Sequence, residues 1–109
     1  MDVMQRIQTL VDSHPIVLFM KGTPQFPMCG FSAKAVQCLK SANAKMLTVN
    51  VLEDPEIRAT LPQYANWKTF PQLFVNGELI GGTDIISELA DSGELARMVA
   101  ESGAQAGAA

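Results

Sequence analysis

Cys29-Gly30-Phe31-Ser32 stands where a loop rich in glycine and proline, Lys21 to Met28, gives way to a helical pattern. The first N–H groups of a helix have no intrahelical acceptor, and the macrodipole favours negative charge beside them. A cysteine at that junction is biased toward thiolate, the form that attacks disulfides and binds metal. Lys21, at the end of the preceding strand, can supply a second positive charge. The other cysteine, Cys38, falls nine positions on, in the same helix. Nine residues of helix span about 13 Å, whereas a disulfide needs Cα atoms within about 7 Å. The two are expected not to pair, which leaves Cys29 free for chemistry and Cys38 as a small core residue. Two cysteines are also too few for a disulfide-stapled secreted domain, and they fit a reducing compartment.

The elements that must position Cys29 follow from periodicity. Val3, Met4, Ile7, Leu10 and Val11 recur at helical spacing up to Ser13-His14-Pro15. Ile16 to Met20 is an unbroken apolar run, as in a strand buried on both faces. After the loop, a helix is expected from about Cys29 to Ser41, with Phe31, Ala35, Val36 and Leu39 as its apolar positions, and then a strand over Met46–Val51. Asp54-Pro55-Glu56 opens a third helix with a capping acid, a first-turn proline and a carboxylate facing the dipole. Pro62 is expected to interrupt it. Gln72–Val75 and Glu78–Ile80 flank Asn76-Gly77, a strong hairpin signal. Helices follow over Asp84–Asp91 and Glu94–Glu101, and Gly103 to Ala109 is expected to fray. The order α-β-α-β-α-β-β-α-α predicts an α/β fold with one mixed four-stranded sheet covered by helices. A single domain over 1–109 suits the 109 residues, of which 48% are hydrophobic and 17% charged.

Charge and pattern exclude several functions. The net charge of −3 argues against nucleic-acid tracking, and Lys34, Lys40 and Lys45 read as a solvated face. The longest apolar run is five residues, against the ~20 of a membrane span. The N-terminus lacks the pattern of a secretory or transit signal, so a cytoplasmic location is expected. His14 lies in a turn, and Tyr64 and Trp67 read as packing residues. No Walker loop, zinc-binding set or serine triad is present.

Four motifs in order carry a family resemblance: Lys21-Gly22-Thr23-Pro24, Cys29-Gly30-Phe31-Ser32, Trp67-Lys68-Thr69-Phe70-Pro71-Gln72 and Gly81-Gly82-Thr83-Asp84. Over roughly 7–99 the chain resembles the monothiol, CGFS-type glutaredoxins. The resemblance implies a thioredoxin-like (glutaredoxin) fold, glutathione binding, and a [2Fe-2S] cluster shared by two chains. It implies that Lys21 and Arg58 meet the glycine carboxylate of glutathione. Phe70, before Pro71, would offer its main chain to the cysteinyl residue across a cis peptide. Thr83 and Asp84 would open a helix whose N–H groups hold the γ-glutamyl carboxylate, with Asp84 accepting from the amine. Many members carry cysteine at the position of Thr83 and proline at that of Lys68.

The residues make sense of that implication. A dithiol oxidoreductase resolves a mixed disulfide with a second cysteine three positions on, and here that position is Ser32. Cys29 must rely on an external thiol such as glutathione. A [2Fe-2S] cluster normally takes four thiolates. Two chains supply two and two glutathiones complete the set, which predicts a homodimer when the cluster is bound, with Cys29 as the one protein ligand from each chain. Three functions compete: a cluster carrier serving iron–sulfur acceptor proteins, a glutathione-dependent thiol–disulfide oxidoreductase acting through Cys29, and a module docking a BolA-like protein.

Overall fold

The computed structural model describes residues 2–104. Helix α1 (Val3–Ser13) leads into strand β1 (Ile16–Met20), helix α2 (Gly30–Ser41) and strand β2 (Leu47–Asn50). Helix α3 (Pro55–Ala65), strands β3 (Gln72–Val75) and β4 (Glu78–Gly81), and helices α4 (Thr83–Asp91) and α5 (Glu94–Ser102) follow within the described residues. The sheet order is β2-β1-β3-β4. β1 pairs parallel with β2, while β1 with β3 and β3 with β4 are antiparallel. This is the mixed four-stranded sheet expected from the element order.

Both faces of β1 are covered, as its apolar run requires. Ile16, Leu18 and Met20 point into a core with Ala35, Val36 and Leu39 of α2, Ile86 of α4, and Leu95 and Val99 of α5. Val17 and Phe19 point the other way, toward Ile7 and Val11 of α1 and Ile57 and Leu61 of α3. Period-2 alternation of side chains thus sorts one strand's residues between two cores. The β3–β4 hairpin turns at Asn76 and Gly77, both at positive φ (51° and 81°), which a type I′ turn requires.

Four expectations are corrected. Phe31 is 64% exposed rather than packed on the core, because in the first turn of α2 its side chain lines an open surface cleft. Pro62 does not interrupt α3, which runs on to Ala65 and stops at Asn66 in the left-handed region. Buried Leu61 and the packing of Tyr64 on the second core hold the helix through one missing backbone hydrogen bond. β2 ends at Asn50 instead of Val51, since the Asn50 side chain accepts from the Leu52 N–H (3.0 Å) and starts a 3-10 turn, Val51–Glu53. Finally, Gly103 and Ala104 do not fray: Ala104 is buried in the first core and its carbonyl accepts from the Lys45 N–H at 2.6 Å. The remainder of the expected tail, 105–109, lies outside the described residues.

Candidate functional site

The loop between β1 and α2 is folded back on itself. The Met28 N–H donates to the Lys21 carbonyl (2.9 Å), and Thr23 and Phe26 exchange backbone bonds of 3.2 and 3.1 Å. The Gly22 N–H donates to Asn50 Oδ1 (2.9 Å), tying the loop to the end of β2. Gly22 has φ +93°, and a Cβ there would sit 2.5 Å from the Phe26 carbonyl oxygen. No other residue type fits that crossing without moving the backbone.

This loop delivers Cys29 to the N-cap of α2 in extended conformation. Its thiol closes no capping hydrogen bond, so the N–H groups of the first turn stay available around it. The Ser32 N–H holds the thiol below its ordinary range; the Phe31 N–H, the Lys21 charge and the Ser32 hydroxyl add to this, and burial opposes it. Ser32 itself is fully buried, and its Oγ accepts from the Lys21 N–H at 3.1 Å. The hydroxyl hydrogen remains free to point at sulfur. Cys38 is a half-buried free thiol packed against the first core, away from the cleft.

Lys21, Cys29, Arg58, Phe70, Pro71, Thr83 and Asp84 all line one open cleft of about 850 Å³. The residues singled out in the sequence are therefore brought together from five parts of the chain. The Phe70–Pro71 peptide is cis. Helix α4 has Gly82 as N-cap with no side-chain cap, which leaves its first-turn N–H groups open toward the cleft beside Asp84. Trp67, Lys68 and Gly82 also form the wall. All three sit inside the motifs that flagged the site: Lys68 was expected to change the charge near the cleft, Trp67 was expected only to pack, and Gly82 had no expected role. Buried Gln72 holds that wall: its Nε2 donates to the carbonyls of Trp67 (2.9 Å) and Thr69 (3.2 Å). Gly82 packs so closely that an added Cβ would lie 3.3 Å from both the Pro71 carbonyl oxygen and Trp67 Nε1. Three cations, Lys21, Arg58 and Lys68, face one carboxylate, Asp84, so the cleft favours anions although the chain is acidic. Phe31 also lines the cleft with a largely exposed side chain, and Phe26 and Met28, in the loop that leads to Cys29, are exposed as well.

Residues 16–80, from β1 through the cleft wall to β4, match the family model for glutaredoxin. The chain belongs to the glutaredoxin family. Glutaredoxin 4 of Buchnera aphidicola subsp. Baizongia pistaciae is 51% identical over 98 residues, covering 90% of this chain and 91% of that protein. The solution structure of reduced poplar apo GrxS14 superposes with a TM-score of 0.77 at 48% identity, covering 91% of each chain. A buckwheat glutaredoxin–glutathione complex superposes with a TM-score of 0.83 at 31% identity, covering 95% of this chain and 93% of that one. Among glutaredoxins the chain is of the monothiol type, with the thioredoxin-like fold that its motifs imply and Ser32 where a dithiol member has its second cysteine. No helix among the described residues is long and apolar enough to cross a membrane.

Proposed function

We propose that two copies of this glutaredoxin carry a [2Fe-2S] cluster between them as cargo, each contributing Cys29 and one bound glutathione, and pass it to iron–sulfur acceptor proteins. The observation that carries the reading is the pair Cys29 and Ser32. The cleft has one thiol, already biased to thiolate, and the place of a resolving thiol is taken by a fully buried hydroxyl bonded to the Lys21 backbone. Any second sulfur must come from outside the chain. Among the described residues no three His, Cys, Asp or Glu side chains converge as a metal site. The donor chemistry therefore fits a cluster only with the ligand count completed by a second copy and by glutathione thiols. Phe31, which lines the cleft, and the exposed Phe26 and Met28 of the loop before Cys29 would give such a site apolar surroundings.

Glutathione suits the cleft on chemical grounds, and a relative of the same fold is described as a glutathione complex. Its glycine carboxylate pairs with Lys21 and Arg58, its cysteinyl backbone with the main chain at Phe70, and its γ-glutamyl carboxylate with the open N–H groups of α4 at Thr83 and Asp84. Asp84 accepts from the amine. A reducing, cytoplasmic setting agrees with two free cysteines. A BolA-like protein is a second docking partner consistent with the exposed Phe26, Met28 and Phe31.

Anaerobic reconstitution with iron, sulfide and glutathione tests the proposal. The expected product is a coloured dimer with two irons and two glutathiones, returned to monomer by chelation and absent in Cys29→Ser. Colourless monomer from wild type, or wild-type cluster yield from Cys29→Ser, would overturn it. A second reading, removal of glutathione from mixed disulfides by Cys29, is favoured by the depressed, accessible thiol. Turnover of a glutathionylated peptide by protein that never acquires a cluster would select it.

A further inference from the structure

Gln72 opens β3 directly after residues 67–71, all of which line the cleft, and it is fully buried. Its Nε2 donates to two carbonyls of that loop, Trp67 at 2.9 Å and Thr69 at 3.2 Å. An amide nitrogen carries two hydrogens, one for each carbonyl. Reversing the amide would set its oxygen against two other oxygens, so the hydrogen-bond network fixes its orientation. Oε1 is then left buried without a partner. A buried unmet acceptor costs stability, and an apolar side chain of the same length would fill the space without it. Space filling therefore does not account for an amide at this position, whereas aiming two carbonyls does.

The consequence lies at the other end of each peptide unit. The Trp67–Lys68 and Thr69–Phe70 bonds are trans. In a planar trans peptide the carbonyl and the following N–H point in opposite directions. With the Thr69 carbonyl turned inward to Gln72, the Phe70 N–H is turned outward, toward the cleft that Phe70 lines. The Trp67 carbonyl does the same for the Lys68 N–H. Among the described residues neither N–H has an acceptor. We propose that Gln72 is a positioning residue for glutathione, its side-chain amide holding the Thr69–Phe70 peptide so that the Phe70 N–H is presented to the cysteinyl backbone of the ligand. The proposal rests on the reading that glutathione occupies the cleft, and adds the residue that makes the main-chain contact a preformed one. A donor already held in its bound orientation loses less freedom on binding and so binds more tightly.

The test is a chemical-shift titration of apo protein with reduced glutathione. Gln72→Met keeps the length of the side chain and removes both donors. Its Kd should rise about threefold to tenfold, the range of one neutral hydrogen bond. In the wild type the Phe70 N–H should move downfield at saturation. In Gln72→Met that displacement should stay smaller even at saturation, while the Thr83 and Asp84 N–H groups of α4 keep theirs. The donor is uncharged, so the fold-loss should be the same at about 0.1 M and about 1 M salt. A wild-type Kd in Gln72→Met overturns the proposal. So does a weaker Kd with the full Phe70 displacement at saturation, because a Gln72 that only stabilised the loop would leave the bound state unchanged. A loss confined to low salt also overturns it, since the effect would then run through the Lys68 charge. If Gln72→Met does not fold, the side-chain Nε2 protons of Gln72 are read in the wild type. They should exchange slowly with solvent and shift as glutathione binds, and resonances that stay fixed through the titration overturn the proposal. Failure of the wild type to bind glutathione at all would instead overturn the reading beneath it, and the proposal with it.

Discussion

Replacement of Arg58 by alanine isolates the electrostatic part of glutathione binding. The side chain lines the cleft, is exposed, and among the described residues has no carboxylate at ion-pair distance. Its backbone is held independently: the Ile57 N–H donates to Asp54 Oδ1 at 3.2 Å, the Arg58 N–H donates to the Asp54 carbonyl at 3.0 Å, and Ile57 is buried. Alanine is a better helix former than arginine, so α3 should persist. A hydrogen bond to a charged group contributes roughly 1.5–3 kcal/mol, whereas an exposed ion pair contributes about 0.2–1 kcal/mol. The cleft is open and solvent screens it, so a value between the two ranges applies. A loss of about 1–1.4 kcal/mol corresponds to a fivefold to tenfold weaker Kd. The assay is a chemical-shift titration of apo protein with glutathione at two ionic strengths. Screening shortens from about 10 Å at 0.1 M salt to about 3 Å at 1 M, so high salt should weaken the wild type toward the variant and change the variant less. Asp84→Ala, acting at the amine end, should keep the wild-type salt response. Equal Kd for Arg58→Ala and wild type at low salt would refute the assignment and leave Lys21 as the remaining partner for the glycine carboxylate.

Cys29 should alkylate from lower pH than a cysteine in an unstructured peptide, as peptide mapping after iodoacetamide treatment would read, because its folded-state pKa is depressed. The sign for stability follows: the folded state holds fewer protons on Cys29 than the unfolded chain, so that contribution is fully present above the unfolded thiol pKa and is lost as pH falls through the folded value. Cys29→Ser should lack this pH-dependent increment in denaturant titrations. Cys38→Ala should cost about 1 kcal/mol in unfolding free energy and leave glutathione affinity unchanged, given its position against the first core. Gly22→Ala should be far worse, since its φ is +93° and the new Cβ would meet the backbone of Phe26 and Met28 at 2.5 and 2.7 Å. A loss of about 2 kcal/mol or more, seen as a Tm drop of roughly 8 °C or more, is expected, together with slower Cys29 alkylation as the loop shifts.

The elements that nucleate on local signals were legible from the residues alone. The five apolar residues of β1 demanded cover on both faces, Asp54-Pro55 placed the start of α3, and Asn76-Gly77 placed the hairpin. Each is a short-range steric or hydrogen-bonding preference that survives in any context. The cleft was legible because Lys21, Cys29, Phe70, Pro71, Thr83 and Asp84 sit in motifs, and the resemblance those motifs carry named these and Arg58, seven of the fourteen residues that line it. What the residues alone did not reveal depends on contacts between distant segments. Phe31 looks like a core position by helical period, yet it lines the open cleft that α2 shares with α4 and is left exposed. Pro62 looks like a stop, yet Leu61 and Tyr64 are packed too well for the helix to end there. Ala104 is as small and featureless as the tail around it, and only the bond from Lys45 and the space beside the first core select it. The bonds from the Lys21 N–H to Ser32 Oγ and from the Thr83 hydroxyl to the Phe31 carbonyl tie together the segments around the thiol. They join segments 11 and 52 residues apart, and no local preference encodes them. Sequence thus determined which residues could do the chemistry and which elements bear them. Packing of α2 against α4 and β1 decided how the thiol is held, because hydrogen-bond geometry between distant segments exists only once the core has set their separation.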